Sequence, residues 1–150
     1  MPKDPAARRD FDRRIDSIFF GRLREDALAA NLAFDTVAGC DTFRTFPSSS
    51  GGVLNARFPK RRPSDTSLVL VLGPLRFRME EKVPGDTTTL VLLSSTDYAV
   101  YDAKGDEVVS DGTILSTSHR PFRHGVDPSD WYSAADNTAY RLISRLLEFR

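Results

Sequence analysis

His119 and His124 stand in the stretch SHRPFRHGVDPSDWY, residues 118–132, with Asp127 and Asp130 just beyond them. Imidazoles and carboxylates are zinc-ligand types, so this spacing in a proline- and glycine-containing loop could hold a metal. Either histidine could also serve as base to a cysteine nucleophile, and Cys40 is the only cysteine in the chain. Local structure competes for the carboxylates. Asp127-Pro128 reads as a helix start, an aspartate cap followed by proline at the first helical position. Asp130 then falls in the first turn, where negative charge suits the helix dipole. Cys40 has no basic neighbour in sequence to lower its thiol pKa. An enzyme or metal-binding protein using His119, His124, Asp127 or Cys40 is therefore the alternative reading. In the leading one, His119, Arg120, Arg123 and His124 form a basic rim. Its charge rises below about pH 6.5 for unperturbed histidines.

A second basic group comprises Arg57, Lys60, Arg61 and Arg62, with Arg76 and Arg78 further on. In an extended strand Arg76, Arg78 and Glu80 share one face. Such groups suit a carboxylate or phosphate on a partner. Other chemistry is thin. The chain has no G-x-S-x-G elbow, no P-loop and no dinucleotide fingerprint. Glu80 and Glu81 point to opposite faces of a strand and would not share a proton. Phe58 and Phe77 are expected to face inward, which leaves no exposed aromatic platform for single-stranded nucleic acid. The expectation is no catalytic residue, no metal and no cofactor.

The composition is ordinary for a globular protein and sets bounds on its class. Twenty-one basic residues balance twenty-one acidic ones over 150 residues, so no global field draws in nucleic acid or anionic lipid. The length fits one domain, residues 1–150. A single cysteine rules out an intrachain disulfide. No apolar run has the length of a membrane span. The start, MPKDPAARRDFDRR, is charged and has no apolar core of a signal peptide. VAGC, residues 37–40, has the form of a lipoprotein cleavage box, but Asn31 and Asp35 interrupt the apolar run before it. A helix end and turn with a small buried thiol is the expected structure there.

The elements that must position these residues follow from periodicity. Asp4-Pro5 opens a helix whose stripe is Phe11, Ile15, Ile18, Phe19, Leu23 and Leu28, with Gly21 as a point of bending. FPSSSGG is a loop, VLNARF a short strand and PKRRPSD a connection. SLVLVL is a continuous apolar run, expected as a buried central strand, and Gly73-Pro74 interrupts it. LRFRMEE alternates, TTTLVLLSSTDYAVYD is a long β-branched strand, and DAKG turns the chain back into DEVVSDGTILSTSH, with a bulge expected at Asp111-Gly112. A last helix carries Trp131, Ala135, Thr138, Leu142 and Leu146, widened by Tyr132, Ala139, Ile143 and Phe149. The fold class is α+β: an antiparallel four- to five-stranded sheet with an N-terminal and a C-terminal helix packed on one face.

TSLVLVLGPLRFRMEE, then TTTLVLLSSTDYAVYDAKGDEVVSDGTILSTSHRPF, then WYSAADNTAYRLISRLLEF together resemble the small accessory lipoproteins of the bacterial envelope. These are the LPS-assembly lipoprotein and the ABC-transport auxiliary lipoproteins. LREDALAANLAFDTV is similar to their earlier helix and following strand. The resemblance implies the same α+β shape and no catalytic residues. It implies a non-enzymatic accessory role in an envelope transport or assembly system. Its partner would be a protein, with an anionic lipid or glycolipid headgroup as the second class. As the chain is written, the expected compartment is the cytoplasm; a start further upstream would make it the periplasm or envelope. The polar sheet face and the 46–65 loops are the surfaces expected to meet the partner.

Overall fold

A computed structural model describes residues 2–31, 40–47, 53–59, 68–102, 107–118, 121 and 126–148. The order of elements is α1 (Pro5–Ala29), β1 (Cys40–Pro47), β2 (Val53–Pro59), β3 (Leu68–Leu72), β4 (Arg76–Glu81), β5 (Leu90–Asp102), β6 (Glu107–Thr117) and α2 (Pro128–Leu147). This is the α+β arrangement expected, two terminal helices and a four-stranded antiparallel sheet of β3, β4, β5 and β6. The chain gathers into two compact units. One contains Met1–Phe34, Phe77–Ser94 and Leu115–Arg150; the other contains Asp35–Arg76 and Ser95–Ile114.

In the first unit, Asp4 caps α1 by accepting from the Ala7 N–H at 3.0 Å, and Pro5 takes the first turn. The helix buries Ile15, Phe19, Leu23 and Ala27, a stripe that advances four residues at a time. Leu28 was expected on that stripe but is 77% exposed, because it sits about 100° around the helix from Ala27. Gly21 does not break the helix. The helix ends where Asn31 takes a left-handed φ of 56°. Phe11 meets Trp131 of α2 edge-on, with centroids 5.9 Å apart. Arg22 bridges Asp26 at 2.8 Å and Asp136 of α2 at 3.3 Å. The Asp26 hydrogen bond, set against partial burial, raises the Arg22 guanidinium above its ordinary pKa.

α2 starts as its sequence indicates. Asp127 accepts from the Ser129 N–H at 2.9 Å, and Asp130 accepts from the Asp127 N–H at 3.2 Å, a reciprocal capping box. The helix buries Trp131, Ala134, Ala135, Thr138, Ala139, Leu142 and Ile143. Its small residues admit the sheet closely. Ser94 Oγ lies 3.0 Å from the Ala134 carbonyl and 2.5 Å from Thr138 Oγ1, while Thr138 itself donates to Ala134 at 2.9 Å. Phe77 of β4 packs inward against Trp131, with centroids 5.0 Å apart.

In the second unit, β1 and β2 form an antiparallel pair running from Pro47 opposite Val53 to Cys40 opposite Pro59. Cys40, expected at a helix end and turn, instead opens this strand. β3 pairs antiparallel with β5, from Leu68 opposite Asp102 to Leu72 opposite Tyr98. SLVLVL is therefore not the central strand. That place belongs to β5, which is bonded to β3, β4 and β6, while Leu68 at the start of β3 is exposed. The strand expected from Thr87 begins only at Leu90. Asp86 Oδ1 accepts from both the N–H and the hydroxyl of Thr88, at 2.9 and 2.5 Å, and so holds the threonines in a turn.

Candidate functional site

Among the described residues of the second unit, one buried charge is built from three strands. Gly73 breaks off β3, and its N–H donates to the Asp97 carbonyl of β5 at 2.8 Å. Thr96 Oγ1 donates to the Gly73 carbonyl at 3.1 Å. These two bonds fix the Gly73-Pro74 interruption against β5 and set where β4 begins. Arg76, the first residue of β4, places Nη2 at 3.1 Å from Asp97 Oδ2. Thr113 of β6 donates its hydroxyl to Asp97 Oδ1 at 2.6 Å. The next residue along β5, Tyr98, lies over Gly112. A Cβ at residue 112 would lie 3.0 Å from the Tyr98 ring, tighter than ordinary van der Waals contact, so the glycine lets the ring sit close without having to shift. The bulge expected at Asp111-Gly112 does not interrupt β6, which runs as one strand through both.

Exposure divides this constellation sharply. The Asp97 side chain is 2% exposed and the Arg76 side chain 55% exposed. A carboxylate shut away from water is tolerable only when hydrogen-bonded and paired. Thr113 and Arg76 supply that. The carboxylate in turn holds one end of the guanidinium, whose remaining surface faces solvent. The result is an exposed arginine with a fixed head group, able to engage a carboxylate or phosphate with its planar fork.

The other expected site residues fall in several places. Arg78 of β4 pairs with Glu80 at 2.7 Å, both partly exposed, so it does not add an unopposed positive charge. Arg57 lies on β2 opposite Phe43. Lys60, Arg61 and Arg62 lie outside the described residues, as do His119, Arg120, Arg123 and His124. Asp127 caps α2 as described above. Among the described residues, no three His, Cys, Asp or Glu side chains gather into a metal-binding group. No helix there is long and apolar enough to cross a membrane.

Sequence reasoning found Arg76 but missed Asp97 and Thr113. One signal was available: an aspartate in the middle of LVLLSSTDYAVY is out of place in a β-branched, aromatic strand unless it has a buried partner. No family model, curated protein or solved structure matches the chain.

Proposed function

We propose that this chain is a non-enzymatic binding or assembly module, and that Arg76 is a contact residue for an acidic group on a protein partner. One observation carries the reading: a closed carboxylate, Asp97, anchors a guanidinium that is itself open to solvent. An arginine held in place loses less side-chain freedom on binding than a free one, which favours recognition. The resemblance to envelope accessory lipoproteins suggests envelope assembly subunits as the first partners to test. An anionic headgroup remains the second class.

The test is capture of a cross-linked partner by the tagged full-length chain, compared with Arg76→Glu. A single stoichiometric partner should be retained by the native chain and lost by the variant, which should still fold at a lowered melting temperature because Asp97 loses its cation. Equal capture by both would remove Arg76 from the reading. The enzyme alternative has its own check. Protein purified without a histidine tag should carry no stoichiometric zinc, and one zinc per chain would replace the binding reading with a metal-centred one.

A further inference from the structure

We propose that the outer edge of β6 over Val109–Thr113 is a docking edge for an extended basic peptide, added as a further antiparallel strand. This goes beyond the reading of Arg76 and does not require it. The backbone directions of β6 follow from three observations. The Ser118 N–H donates to the Leu92 carbonyl, so even-numbered residues of β6 turn their backbone groups toward β5. Thr113 meets Asp97 and Gly112 meets Tyr98 in that same register. The odd-numbered residues therefore point outward. Leu115 and Thr117 confirm it, since their carbonyls accept from Arg141 at 3.0 Å and Asn137 at 3.5 Å, both on α2.

That end of β6 is thus closed by side chains from α2. The other end is not. Among the described residues β6 pairs with β5 alone, and no side chain caps the outward groups of Val109, Asp111 or Thr113. Val109 is 49% exposed, and Glu107, Asp111 and Thr113 are exposed beside it. An open strand edge is a template for another strand.

Charge selects the occupant. Glu107 and Asp111 stand on one face of the edge, and the strand contains no basic residue. A second copy pairing antiparallel about Val109 would set Glu107 against Asp111; about Asp111, it would set that residue against itself. Like charges across a pair are unfavourable. A strand carrying Lys or Arg at that same spacing places opposite charges at both positions. The acids therefore discourage self-pairing and favour a basic partner.

The experiment uses the full chain and two synthetic peptides about eight residues long, alternating Val and Thr. One carries lysines spaced as Glu107 and Asp111 are; the other carries glutamates there. Fluorescence anisotropy should show the lysine peptide binding at least about fivefold tighter. Val109→Pro removes an outward N–H without touching the β5 ladder and should abolish binding. The double variant Glu107→Lys, Asp111→Lys should invert the preference, which keeps the idea testable if the proline variant fails to fold. Amide hydrogen exchange at Val109, Asp111 and Thr113 should slow in the complex. Equal binding of both peptides, unchanged exchange, or full binding by a folded Val109→Pro would overturn the proposal. So would dimerisation of the chain through this edge, relieved by Val109→Pro. Loss of the Arg76 contact leaves all these readouts unchanged, so the two proposals fail separately.

Discussion

β5 carries two buried polar clusters, and they serve different ends. Ser94, in the first unit, meets Thr138 and the Ala134 carbonyl. Every group there is neutral, local to one helix–sheet contact and enclosed. Asp97, in the second unit, is as deeply buried but charged, and Arg76 of β4 and Thr113 of β6 are among its partners. A neutral hydroxyl cluster needs only hydrogen bonds to be satisfied. A buried carboxylate needs a cation, and here that cation reaches the surface. The first cluster fastens a helix; the second turns burial into the orientation of an exposed group.

The comparison sets an order of effects. Asp97→Ala should be the most damaging, about 3 kcal/mol by urea unfolding, because a hydrogen bond to a charged acceptor and an ion pair go at once. A loss below about 1 kcal/mol would mean that the carboxylate holds nothing. Gly112→Ala comes next at about 1–2 kcal/mol, since the new methyl must displace the Tyr98 ring. Ser94→Ala should cost about 1 kcal/mol, as Thr138 keeps its bond to Ala134. A cost equal to that of Asp97→Ala would erase the distinction between the clusters. Smallest of all is Ser116→Ala. Its Oγ is buried with no hydrogen-bond partner among the described residues, so removal should be neutral within about 0.5 kcal/mol or stabilising.

Where function-bearing groups are local in sequence, they were legible. Asp4-Pro5 and Asp127-Pro128 announce their helix starts within a few residues, and the caps form as read. The capping explanation of Asp127 and Asp130 also holds, so chemistry is not needed to account for them. β1 was not legible. CDTFRTFP carries strand-forming Thr and Phe, but it lies between a small-residue segment and a serine–glycine loop that read as turns. SLVLVL misled for another reason: an apolar run reports burial but not which strand has two neighbours. Asp97 left a signal in its strand, but its pairing with Arg76 and Thr113 was out of reach because the three meet only through strand register. Register depends on the pairing of whole strands and not on any local signal.

The most direct test of the central claim is a double-mutant cycle of Arg76→Ala and Asp97→Ala, read in both unfolding free energy and partner capture. Arg76→Ala strips the cation from a buried carboxylate and should itself cost about 2 kcal/mol, with the double variant little worse than Asp97→Ala alone, and both single variants should lose capture. If Arg76→Ala destabilises as much as Asp97→Ala while capture persists, the pair is only a structural tie, and Arg76 is not a contact residue.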